Sequence, residues 1–267
     1  MSPLISRLAV VAAGLPIVLG SAYLGGWFLF SLVAIGGLVA LHELYRLARP
    51  LRPLVLAGYG GATAAFLGAE LSGPAWMLGG FLLTFVLAFV FAAVSETRQS
   101  TTVAVAATVF GAAWVGLGLG HLLLVRELDL YGRLALITLL LTVFVTDTFA
   151  YVGGRLAGRH KMSPVVSPGK TWEGFVAGAI AGVLTTFIAL YKEPVFAATW
   201  RSLALGAVIV AAATLGDLFE SLVKRDLGVK DTGRLLAGHG GVLDRIDSLL
   251  FAGPAAFFTL LALGALS

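Results

Sequence analysis

Residues 8–41 contain no Asp, Glu, Lys, Arg or His. An uncharged run of this length exceeds the ~20 apolar residues that one membrane-spanning helix needs, so it predicts two successive spans. The rest of the chain has the same character. Only 12% of its 267 residues are charged, against about 25% in soluble domains, and the mean hydropathy is +0.98. A removable signal peptide would give way to a polar mature domain, which this pattern does not offer. Apolar runs, not short alternating segments, fill the sequence, and this selects helices over a transmembrane barrel. The expected fold is an all-α polytopic integral membrane protein with about nine transmembrane helices, near 8–22, 24–44, 54–69, 76–94, 103–125, 134–152, 172–191, 202–220 and 248–266. Breaks fall at Pro16 and the glycines of 20–26, at Arg49-Pro50-Leu51-Arg52-Pro53, at Ser72-Gly73-Pro74, and in the polar segments 95–102 and 126–133. Residues 1–133 make an N-terminal set of helices and 134–267 a C-terminal set carrying the catalytic loops, within one membrane-embedded unit. Cysteine is absent, which excludes disulfides and thiolate metal sites.

Charge orients the chain. In the nine-span arrangement fourteen Lys and Arg residues fall on one side, and only Arg126, Arg133, Lys192 and Arg201 fall on the other. The positive-inside bias puts the fourteen in the cytoplasm. Counting 8–44 as a single span would move the N-terminus across the membrane. It would leave the two long polar loops, 153–171 and 221–247, on one common side.

Residues 221–247 hold four Asp, three Arg, two Lys and a His in an otherwise apolar protein. Charge next to a membrane core is costly and marks function. A multiply charged ligand such as a nucleotide or phosphate, held with a divalent metal, suits this mixture. On a helix, Asp217, Glu220, Ser221 and Lys224 share one face at i, i+3, i+4 and i+7. Asp217 would coordinate the cation, Ser221 ligate or hydrogen-bond, and Lys224 neutralise phosphate. The plainer reading of Glu220 and Lys224 is a solvated i,i+4 salt bridge. Asp217 follows a long uncharged stretch, and a functional role is the better account of it.

Asp231-Thr232-Gly233 and Gly238-His239-Gly240-Gly241 bracket a turn-rich loop. Glycines there let backbone N–H groups approach phosphate oxygens. His239 reads as a hydrogen-bond donor. Asp244 and Asp247 lie one turn apart around Arg245, where metal binding competes with helix capping. The other loop gives Ser167, Lys170 and Thr171 as candidate substrate contacts. The segment lacks the first glycine and the strand of a P-loop. Asp147, near the end of an apolar span, is a further candidate metal ligand, with pairing to Arg155 or Arg159 as the structural alternative. His42, Glu43 and His121 receive no role. Gly174, Gly178 and Gly182 recur every fourth residue and permit close helix contact, within the chain or in a homo-oligomer.

Ser221–Asp247 resembles the signature of the phosphatidate cytidylyltransferases, the CDP-diacylglycerol synthases. Ser221, Lys224, Arg225, Lys230, Asp231, Gly233, Leu236, His239, Gly240, Gly241, Asp244, Arg245 and Asp247 all match it. Ala237 departs from it, standing where the family usually has Pro. Asp147–Gly154 and Ser167–Gly174 are similar to upstream blocks of the family, with Gly169 in place of a cation. The resemblance implies that CTP and phosphatidate give CDP-diacylglycerol and pyrophosphate with Mg²⁺, for phospholipid synthesis in the plasma (inner) membrane. It implies metal binding by Asp217 and Asp244. The partners expected are CTP, phosphatidate and membrane lipid, and no nucleic acid. Other readings are another Mg²⁺-dependent membrane lipid-phosphate transferase or kinase, and an ion-coupled transporter with Asp147, Asp217 and Asp244 on its pathway.

Overall fold

The computed structural model describes residues 3–94, 101–233 and 240–264, with side chains of the first helix described from residue 14 onward. Among these residues the chain is helical apart from one short hairpin and its connections: α1 (Pro3–Leu24), α2 (Gly26–Leu47), α3 (Val55–Ser72), α4 (Pro74–Val94), α5 (Thr101–Gly111), α6 (Gly118–Arg126), α7 (Gly132–Ala157), α8 (Trp172–Leu190), α9 (Thr199–Asp226) and α10 (Leu243–Ala262). A π-helical stretch, Ala112–Leu117, joins α5 to α6. The nine resulting helical segments take the places of the nine expected spans. Seven of those described are long and apolar enough to cross a membrane: α2, α4, α5 to α6, α7, α8, α9 and α10. The protein is an all-α polytopic membrane protein.

The breaks have local causes. Gly25 and Gly73 take positive φ angles of 68° and 85°, where other residues are strained. Arg49–Leu51 form a 3-10 turn that ends on Arg52 in the left-handed region at φ 52°. Pro53 then lacks the N–H that a continuing helix would use.

The chain divides into two compact units, Met1–Leu124 with Val229–Ile246, and Val125–Gly228 with Asp247–Ser267. In the first, small residues set the spacing of α3 and α4. A side chain on Gly61 would collide with Thr84, and one on Gly68 or Gly80 would strike backbone of the opposite helix. The buried Tyr45 hydroxyl donates to the Thr108 carbonyl at 2.6 Å. The Thr108 hydroxyl accepts from the Leu54 N–H at 2.7 Å. These bonds tie the end of α2 and the start of α3 to α5.

In the second unit, Gly174, Gly178 and Gly182 of α8 face α7. A side chain on Gly178 would come 2.6 Å from the Thr146 carbonyl oxygen, and one on Gly174 2.5 Å from that of Ala150. The four-residue glycine spacing therefore serves contact within the chain. Thr142 and Thr186 add a buried hydroxyl–hydroxyl bond of 2.8 Å between the same helices. The polar loop before α8 is a β-hairpin, β1 (Lys161–Ser163) and β2 (Ser167–Thr171), antiparallel, with Lys161 opposite Thr171 and Ser163 opposite Ser167.

Candidate active site

α9 continues as regular helix to Asp226, which is what puts Asp217, Glu220, Ser221 and Lys224 on a common face. The second unit gathers three carboxyl groups and two ammonium groups around that face. Lys170 of β2 forms an ion pair with Asp217 Oδ2 at 2.7 Å. Lys224 pairs with Glu220 Oε2 at 2.5 Å. Asp247, on α10, lies within interaction range of Glu220, Asp217 and Lys224. Gly216 makes this approach possible, because a side chain there would lie 2.6 Å from the Asp247 carbonyl oxygen. Glu220 is 1% exposed and Asp247 8%. The Glu220–Lys224 pair thus has the expected i,i+4 spacing but is buried, where the sequence alone suggested a solvated helix end.

Neighbouring buried carboxylates repel one another, which a nearby cation relieves. Counting the three carboxylates as ionised, the two lysines leave one formal negative charge. An all-oxygen donor set with residual negative charge suits a hard divalent cation such as Mg²⁺. The acids form a chain and not a cage: among the described residues, no three His, Asp or Glu side chains converge as a preformed metal site.

The hairpin is fastened to α9 at a second point, where Arg225 Nε donates to the Val166 carbonyl at 3.3 Å. At its base, Thr171 accepts from the Gly174 N–H at 3.2 Å and so caps α8. Glu173 takes a 2.6 Å contact from His160 Nδ1 and a 3.1 Å bond from the Arg159 N–H. Thus Lys170 reaches α9, Arg225 of α9 reaches the hairpin turn, and Thr171 is used as an N-cap. Ser167 pairs in the ladder opposite Ser163. Ser221 is half-buried on α9. Asp147 is exposed on α7, the helix on which Arg155 donates to the Tyr151 hydroxyl at 3.0 Å.

In the first unit, the middle of the signature forms a cluster of its own residues. Asp244 accepts from the Gly241 N–H at 2.7 Å and the Thr232 N–H at 3.0 Å. Its carboxylate therefore pins two turns of the loop together. Gly240 allows it, with φ 79° and no room for a side chain beside Asp244 Oδ2. Below these turns sits Glu43 of α2, 5% exposed. Glu43 Oε2 accepts from the Leu243 N–H at 2.9 Å and the Thr232 hydroxyl at 3.4 Å. Side chains on Gly233 or Gly241 would collide with the Glu43 carboxylate.

Lys230, Asp231 and Arg245 are exposed. His239 and Ala237 lie outside the described residues. Sequence reasoning passed over Glu43 and Thr232. The available signal was an acid near the end of an apolar span, on the side to which the charge bias assigns the signature loop.

Residues 5–263 match the Cytidylyltransferase family. The phosphatidate cytidylyltransferase of Mycobacterium bovis is 36% identical over 259 residues, covering 86% of this chain and 79% of the relative. That of Staphylococcus saprophyticus is 43% identical over 142 residues, 53% of this chain and 54% of the relative. That of Mycobacterium leprae is 46% identical over 149 residues, 54% and 46% respectively. A match extending over almost the whole chain, through both clusters of charged residues, places this protein in the Cytidylyltransferase family.

Proposed function

We propose that the protein is a phosphatidate cytidylyltransferase that converts CTP and phosphatidate to CDP-diacylglycerol and pyrophosphate. The observation that carries this is the partly buried alternation of Lys170, Asp217, Glu220, Lys224 and Asp247 towards the end of a membrane helix. Such an arrangement handles polyanions beside a bilayer, and the names of the relatives supply the substrates. A phosphate-monoester oxygen of the lipid attacks the α-phosphorus of CTP. The new P–O bond forms as the bond to the bridging oxygen of the β-phosphate breaks, and pyrophosphate leaves with that electron pair. The monoester's second pKa near ~6 leaves it largely dianionic at neutral pH, so no strong general base is required.

The protein's task is positioning and charge neutralisation. Lys170 and Lys224 would take up phosphate charge, each exchanging a carboxylate partner for a phosphate oxygen. Arg225, Lys230 and Arg245 would screen the triphosphate or the departing pyrophosphate, and Ser221, Ser167, Asp231, His239, Gly240 and Gly241 would contribute polar contacts. Mg²⁺, when bound, would withdraw charge from the reacting phosphates. Asp217 and Asp247 are the residues that would hold it; the family resemblance adds Asp244, and a place near the end of an apolar span adds Asp147 as a candidate. The charge bias supports placing these loops in the cytoplasm, and the bacterial relatives support the plasma (inner) membrane.

The test is turnover by purified protein with CTP, phosphatidate and Mg²⁺, following CDP-lipid and pyrophosphate together. Equimolar release of both is expected, with Asp217→Asn lowering kcat by about 10²-fold or more. Transfer of a γ-phosphate to the lipid would overturn the reading in favour of a kinase.

A further inference from the structure

Glu43 has no part in the chemistry described so far, yet it is a carboxylate placed 5% exposed in an apolar helix. Burying such a group is costly unless its oxygens are used. One oxygen is used intensively. Oε2 receives the N–H of Leu243 in the first turn of α10 and the hydroxyl of Thr232. A helix's first N–H groups lack partners within the helix. Here one of them is satisfied by a residue 200 positions earlier in the chain. The same Thr232 then gives its backbone N–H to Asp244, as does Gly241. Among the described residues Oε1 accepts no hydrogen bond. It lies where a side chain on Gly233 would collide with it.

We propose that Glu43 is a positioning residue for Asp244. It locks together the Thr232–Gly233 and Gly240–Leu243 segments, whose amides aim the Asp244 carboxylate. This rests on the cytidylyltransferase reading above, in which Asp244 serves the nucleotide–metal half of the reaction. Glu43 acts through hydrogen bonding and not as a ligand. A glutamine, whose carbonyl oxygen can stand in the place of Oε2, therefore restores function, whereas alanine does not.

The experiment compares wild type, Glu43→Ala, Glu43→Gln and Thr232→Val in detergent. Amide exchange over 240–244 is read by mass spectrometry, beside kinetics with CTP, Mg²⁺ and phosphatidate. Glu43→Ala is expected to speed exchange of this segment at least tenfold. It should lower kcat/KM for CTP by about 10–100-fold and raise the Mg²⁺ concentration for half-maximal rate. The KM for phosphatidate should stay within twofold. Glu43→Gln should recover most of the loss. Thr232→Val, which keeps the N–H to Asp244, should show a smaller loss of the same kind and keeps the question open to test should Glu43→Ala not fold. Unchanged exchange and CTP kinetics in Glu43→Ala overturn the proposal. So does an equal loss toward both substrates without rescue by glutamine, which marks a merely structural residue. Exchange is read whether or not wild type turns over, so an inactive wild type would sink the enzymatic reading while the clamp is judged on its own.

Discussion

The Lys224–Glu220 pair sits where a charge is hard to leave alone. With Glu220 only 1% exposed, removing Lys224 strands a buried carboxylate. Breaking a buried pair by truncating one partner costs about 3–5 kcal/mol. Lys224→Met should therefore lower both stability and activity, and its kinetics alone would say little about phosphate binding. The double variant Lys224→Met with Glu220→Gln removes both charges. It should regain most of the lost thermal stability while staying inactive, if Lys224 neutralises substrate phosphate. Recovery of activity along with stability would reduce Lys224 to a structural partner. Lys170 differs in degree, because its ammonium is buried while its partner Asp217 is partly exposed, so water can still reach the carboxylate that its removal leaves behind. Lys170→Met should lower the unfolding midpoint less than Lys224→Met does and lower kcat/KM for CTP by about 10²-fold. A wild-type kcat/KM would place Lys170 outside the reaction.

The helices were legible because each apolar run is bounded by Pro, Gly or charge, as at Ser72-Gly73-Pro74 before α4. The hairpin of Lys161–Ser163 with Ser167–Thr171 was not. It has few residues per strand and no alternation of apolar side chains, and its hold comes from Lys170 reaching Asp217 of α9 and from Arg225 of α9 reaching back to Val166. Lys170 and Asp217 could each be picked out as candidates, but their pairing is tertiary and leaves no periodicity to read. The same holds for Glu43 and Leu243, 200 residues apart. The glycine stripe of α8 was legible as a contact surface, and the structure assigns it to α7. Gly178→Leu should then destabilise the protein itself by about 1–3 kcal/mol or more through overpacking, measured by unfolding in mixed micelles. Intact stability with altered oligomer size would show instead that the stripe serves another copy. Gly169, where the family resemblance leads one to expect a cation, has open space around the position of a side chain. Gly169→Lys should fold normally and lower the KM for CTP a few-fold, and a destabilised variant would contradict the space seen there.

Orientation across the bilayer ties these pieces to their substrate, since CTP must arrive from the cytoplasm. The hairpin before α8 and the turn after it are separated by one span, Trp172–Leu190. A crossing α8 puts them on opposite sides. The charge bias places Lys170 and its neighbours inside and Lys192 outside. The chain contains no cysteine, so single cysteines report without background. Val165, 88% exposed at the hairpin turn, and the exposed Lys192 are suitable positions. A membrane-impermeant maleimide should label Lys192→Cys in intact cells and Val165→Cys only in inside-out vesicles. The reverse pattern would turn Lys170 and Asp217 away from the nucleotide and defeat the proposed reaction, however well the charges are arranged. Labelling of both from one side would mean that α8 does not cross the bilayer. The grouping of Lys170 with α9 would then need another explanation than a loop held at the cytoplasmic surface.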